Sequence, residues 1–159
     1  MKKFANFAAK LFTMKINLKN GIDKLIFGMT QKDVTAVYGT PDRNYKDEDE
    51  NVIFVYNSHK MRLTFYKDEA FRMGYIVASS PDLELFGNKV IGKNIKDVKK
   101  ELASKSITKF TQEEFDTFEN YFNEENWLLF QTEFEEVVKL EVGAIINDKD
   151  EFDWKFGKK

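Results

Sequence analysis

The stretch Phe27-Gly28-Met29-Thr30, followed by Asp33-Val34, recurs as Ile91-Gly92-Lys93-Asn94, followed by Asp97-Val98. The two glycines, and likewise the two Asp-Val pairs, stand 64 positions apart. Further on, Tyr56 and Phe65, nine apart, find counterparts in Tyr121 and Phe130, also nine apart, at an offset of 65. A constant offset over so long a stretch predicts one structural unit built twice, and a repeat constrains architecture more than any single residue does. Repeats over about 22–87 and 88–147 are expected, within a single domain covering 1–159.

Outward from the glycines, Thr30-x-x-Asp33 reads as a capping box with Asp in place of Glu, and Val34, Val37 and Tyr38 give the helix behind it an apolar face. Gly39 stops that helix and Pro41 prevents its restart. In the second copy Asn94 is the expected N-cap of a helix over 95–102, with Asp97 in its first turn. Three strands follow the first helix: the β-rich run 52–56, then 61–66, where Met61, Leu63 and Phe65 alternate with Arg62, Thr64 and Tyr66, then 71–78. Their counterparts fall at 117–122, 127–132 and 137–146. Thr111-x-x-Glu114 ahead of Phe115, Phe118 and Tyr121 also reads as a capped helix; the repeat offset favours strand for 117–122. Residues 43–51 are polar and read as a surface loop, while Lys15–Leu18 suits a short strand.

At the start of the chain, Phe4, Phe7, Ala8, Leu11 and Met14 keep helical spacing, so an amphipathic N-terminal helix is expected. The fold class is therefore α+β: two tandem helix-plus-three-strand units forming a mostly antiparallel sheet with helices on one face, plus that N-terminal helix. One unit alone hardly buries its sheet face, whereas two side by side can.

Composition narrows the function. Hydrophobic residues at 42% supply a core and argue against disorder, although 33% of residues are charged. The absence of cysteine excludes a thiol nucleophile, disulfides, a cysteine zinc site and a lipid-anchoring cysteine. Met1-Lys2-Lys3 imitates a signal peptide, but Lys10 and Lys15 interrupt a very short apolar run, and no segment has the length of a membrane span. Cytoplasmic placement without stable membrane insertion is expected. Charge is uneven: residues 1–32 carry seven Lys and one Asp, while 111–153 carry fourteen Asp or Glu against Lys139 and Lys149. The acidic half disfavours nucleic acid and suits a basic protein partner.

Catalytic chemistry is hard to assemble. His59 is the only histidine and sits in an expected hairpin turn, where a solvated, non-catalytic ring is the expectation. There is no Gly-x-Ser-x-Gly elbow and no Gly-rich phosphate loop. Neither Asp148-x-Asp150-x-x-Asp153 nor Asp47-Glu48-Asp49-Glu50 forms a Gly-centred calcium loop. No enzyme activity, cofactor or metal is expected. The candidate partner-binding residues are the rings of Tyr121, Trp127 and Trp154 with the carboxylates of Glu124, Glu125, Glu133, Glu135 and Glu136. Trp154 also reads as a clamp that folds the tail back onto the core.

The run from Phe27-Gly28-Met29-Thr30 through Asp33-Val34 to Tyr38-Gly39-Thr40-Pro41-Asp42 resembles the opening helix of BamE/SmpA-like domains. The doubled arrangement resembles proteinaceous β-lactamase inhibitors and bacterial toxin immunity proteins. The chain departs from these families in having no lipidated cysteine and no disulfides. What the resemblance implies is a habit of binding proteins: an immunity or inhibitor protein that occludes the active site of a cognate toxin, with a basic toxin domain as its partner. An envelope-associated assembly or scaffolding module and a small-molecule-binding domain are the alternatives.

Overall fold

The computed structural model describes residues 13–157. The expected N-terminal helix lies outside the described residues, apart from Met14, which opens the first strand. In chain order the elements are β1 (Met14–Asn17), β2 (Gly21–Ile22), β3 (Leu25–Ile26), α1 (Gln31–Tyr38), β4 (Arg43–Lys46), β5 (Val52–Tyr56), β6 (Met61–Tyr66), a single 3-10 turn (Lys67–Glu69) and β7 (Arg72–Ala78). They continue with β8 (Leu83–Leu85), β9 (Asn88–Lys89), α2 (Ile95–Ala103), β10 (Thr111–Glu114), β11 (Glu119–Asn123), β12 (Leu128–Glu133) and β13 (Glu136–Gly143).

The α+β expectation of two helix-plus-three-strand units is corrected by this topology. The protein is mostly β, with an eight-stranded sheet in the order β10-β11-β12-β13-β7-β6-β5-β4 and a five-stranded sheet in the order β3-β2-β1-β8-β9. Three features of the structure differ from the expected pattern. The polar segment 43–46 is not loop but an edge strand paired to β5. Thr111–Glu114 is not the cap of a helix but the opposite edge strand, with all four residues exposed. The short β2, β3, β8 and β9 join β1 in a second sheet that the repeat pattern does not contain.

Local chemistry explains the helix starts. Thr30 caps α1 through a reciprocal box: the Asp33 N–H donates to Thr30 Oγ1 at 3.4 Å, and the Thr30 N–H donates to Asp33 Oδ2 at 3.0 Å. The Thr30 N–H and, at 2.8 Å, the Thr30 hydroxyl both donate to Asp33 Oδ2 and hold that carboxyl below its ordinary pKa. Asn94 Oδ1 caps α2, accepting from the Lys96 N–H at 2.8 Å. Gly28 and Gly92, at φ +110° and +87°, each precede a helix in a backbone region that side chains avoid. Gly28 donates to the Met73 carbonyl at 2.9 Å and Gly92 to the Val137 carbonyl at 2.7 Å, tying each helix start to a strand of the large sheet.

One continuous core joins the layers. Phe54, Leu63, Phe65, Ile76, Phe130 and Leu140 line the inner face of the large sheet, packed in one cluster with Ile16, Ile22 and Leu83 of the small sheet and with Val34, Val98 and Leu102 of the helices. Because side chains alternate along a strand, the intervening residues form a second face. There the register aligns Arg43, Val55, Arg62, Val77, Glu141, Leu129 and Phe122 in one row across seven strands. The tail covers part of this face: Phe152 stacks on Tyr66 with ring centroids 5.5 Å apart, and on Trp154 at 4.7 Å.

Candidate functional site

The expected partner-binding residues do not gather in one place. Tyr121 points into the core at 7% exposure, its hydroxyl donating to Glu119 Oε2 at 2.9 Å. Burial, this bond and the carboxylates of Glu119 and Glu135 push the tyrosine up to about 12. Trp127 lies against Gly143 and meets Phe122 edge-on at 5.2 Å, so it serves the sheet rather than projecting from it. Trp154 stacks on Phe152 and packs against the core, the clamp arrangement. Glu124 and Glu125 are exposed in the turn before β12, and Glu133, Glu135 and Glu136 in the hairpin after it. A strand rises about 3.4 Å per residue, so the length of β12 separates the two acidic groups by roughly 17 Å or more.

The structure does bring together a set that sequence patterning missed. Glu133 pairs with Glu136, leaving Phe134-Glu135 as a two-residue loop between β12 and β13. Both loop residues have positive φ, +50° and +65°, the pattern of a type I′ hairpin turn. Such turns favour Asn-Gly, because a bulky side chain in this region is strained. Phe134 is nevertheless there, and it is 102% exposed. Beside it the β10–β11 hairpin turns through Phe115 and Phe118, whose rings stack at 4.6 Å and whose backbones bond at 2.9 Å. The two hairpin ends enclose a depression of about 400 Å³ lined by Phe115, Phe118, Phe134, Asp116, Glu119 and Glu133. Lys96 on α2 reaches Glu135 at 3.5 Å and is the cation bonded to this end. The result is an apolar projection with a carboxylate rim.

His59 differs from its expected solvated setting. It is half-buried, with its ring edge-on to Tyr38 at 4.9 Å and its Nδ1 3.3 Å from Ser58 Oγ. It lines a depression of about 230 Å³ with Tyr38, Asp23, Ser80 and Asp82. Burial and the nearby Asp23 push Tyr38 up to about 12. Among the described residues no group of three or more His, Asp or Glu is placed to hold a metal ion. No helix among them is long and apolar enough to cross a membrane.

No family model and no curated protein matches the chain. Solved structures that match include an extracellular protein containing a SCP domain from Bacillus anthracis, with TM-score 0.48 and 12% identity, covering 74% of this chain and 43% of that one. Another is a cysteine-rich secretory protein from Staphylococcus aureus, with TM-score 0.47 and 16% identity, again covering 74% of this chain and 43% of that one. The chain thus spans less than half the length of either, and a likeness this weak carries no functional argument. The family resemblance drawn from the Gly28 and Gly92 segments is corrected by the topology itself. An eight-stranded sheet beside a five-stranded one, in place of two helix-plus-three-strand units, removes the tandem BamE/SmpA-like reading and the immunity-family label attached to it.

Proposed function

We propose that this chain is a non-enzymatic protein-binding protein that inserts the Phe134 hairpin end into a concave, basic-rimmed site on its partner. The observation that carries the reading is a fully exposed phenylalanine held at φ +50° in a two-residue turn. Backbone strain of this kind costs about 1–3 kcal/mol and is held here by the paired strands on either side of the turn. A ring on a tight turn, braced by paired strands on both sides, is preorganised and loses little entropy when it docks. Burying it contributes about 1.5–3 kcal/mol, the scale of an interface hot spot. The surrounding carboxylates of Asp116, Glu119, Glu133 and Glu135 complement a basic rim and speed encounter.

A projection that fills a cleft is also a device for blocking one. In this reading the partner is a basic toxin domain whose active-site cleft the tip closes, and the chain acts as its inhibitor. That step is supported by shape and charge at the tip, with no family resemblance behind it. Cytoplasmic action belongs to the same proposal; its support is the cysteine-free sequence, and cell fractionation tests it.

The direct experiment places a photo-crosslinking phenylalanine analogue at position 134, and at exposed Lys105 as control, in cells of the source organism. A single basic protein crosslinked from 134 and not from 105 is expected. Phe134→Ala should then weaken the purified pair by about tenfold or more, chiefly through the off-rate. No crosslink from 134, or a captured protein that binds Phe134→Ala unchanged, would remove the proposal.

A further inference from the structure

We propose a second interaction surface, a cationic groove on the open face of the large sheet that takes an extended acidic segment of a protein. The row across the sheet places Arg43 and Arg62 two strands apart with Val55 between them and Val77 beyond. With strands about 4.8 Å apart, the two guanidinium stems stand roughly 10 Å from each other over an apolar floor. Lys60 from the β5–β6 turn and Lys139 from β13 complete the lining of a depression of about 490 Å³. None of its lining residues is Asp or Glu.

The charges are largely uncompensated. Among the described residues Arg43, Lys60 and Arg62 make no salt bridge. Glu141, next in the row, is already engaged: the Tyr75 hydroxyl donates to its Oε1 at 2.5 Å, and Lys139 lies 3.7 Å away. Together with burial, that carboxylate drives the tyrosine pKa well above its ordinary value, so Tyr75 stays protonated as a donor. Two guanidinium groups without a salt bridge among the described residues offer forked donors that match carboxylate geometry, and Val55 between them with Val77 beyond suits apolar side chains alternating with the acids.

Single-stranded nucleic acid fits less well, because it needs aromatic platforms for its bases. The groove's one accessible ring, Tyr45, already carries the Arg43 guanidinium 4.9 Å from its centroid. Tyr56, the other ring in the lining, is buried with its hydroxyl bonded to the Gly39 carbonyl at 2.8 Å. A long polyphosphate would also run into the acidic half of the same sheet, whereas a short acidic segment ends within the groove. This surface is built by β4 to β7 and β13, so it does not rest on the reading of the Phe134 end.

The test is an anisotropy titration of the full chain with a labelled peptide alternating Glu and Val, beside a labelled oligothymidylate and phosphatidylserine vesicles. Saturable peptide binding is expected, weakened about tenfold or more in Arg43→Gln/Arg62→Gln. Lys100→Gln/Lys109→Gln removes the same charge elsewhere and should leave binding about unchanged. If the arginine pair fails to fold in a thermal melt, Arg62→Lys keeps the charge, loses the fork, and should still weaken the peptide severalfold. Absent peptide binding, equal loss in both double variants, preference for oligonucleotide or vesicle, or dimerisation through the groove would each overturn the proposal.

Discussion

At the scale of single residues, two aromatic rings fill the space beside glycines of the large sheet. Trp127 occupies the space a side chain at Gly143 would need, and Tyr66 does the same at Gly74. Gly143→Ala is therefore expected to destabilise the protein by about 1–3 kcal/mol through overpacking, read as a lower urea midpoint at unchanged m-value. Tyr121 makes an alkaline prediction. Its folded pKa of about 12 lies above the ordinary value of 10.0, so its neutral form is favoured by folding. Its contribution is complete below about pH 10 and is lost as pH rises towards 12. The stability of the wild type should fall across that window, and Tyr121→Phe should flatten part of the fall. An unchanged alkaline profile in Tyr121→Phe would show that the buried hydroxyl is not coupled to folding.

Elements were legible in the sequence where burial imposed a period. Alternation in Met61–Tyr66 marks β6 because one face of it is core, and the expected span agrees with the observed one. The Thr30 and Asn94 caps mark both helix starts because capping is local chemistry. The edges were illegible for the converse reason. Every residue of Thr111–Glu114 is exposed, so no hydrophobic period exists, and Thr with Glu three positions on imitates a helix cap. The small sheet escaped notice because four of its five strands have two or three residues, too short to carry a pattern. For α1, Thr30→Ala should cost about 1 kcal/mol. The depressed Asp33 carboxyl stabilises the folded state above its ordinary pKa, and that stabilisation is lost as pH falls through the folded value. Asp33→Asn should accordingly make acid unfolding shallower, with little further change when combined with Thr30→Ala.

On the scale of the whole molecule, the charge asymmetry of the sequence survives folding but changes meaning. The five candidate glutamates do not form one acidic face; they divide between the two ends of β12, and only those at the Phe134 end share a depression with exposed rings. That end was hidden in the sequence because sixteen phenylalanines invite assignment to the core, and neither Gly nor Asn announces the turn at 134–135. The cationic groove was hidden because register alone brings Arg43 and Arg62 into one row. If the acidic end steers a basic partner, Glu133→Lys/Glu135→Lys should slow association about tenfold at low salt, with the difference shrinking as ionic strength rises. The decisive measurement replaces the strained turn with the residues such turns favour. Phe134→Asn/Glu135→Gly should raise unfolding stability by about 1–2 kcal/mol in urea titrations, while the partner crosslinked through position 134 binds about tenfold or more weakly. A variant that gains no stability, or that gains it and keeps its partner, would contradict the view that this turn is held under strain for binding.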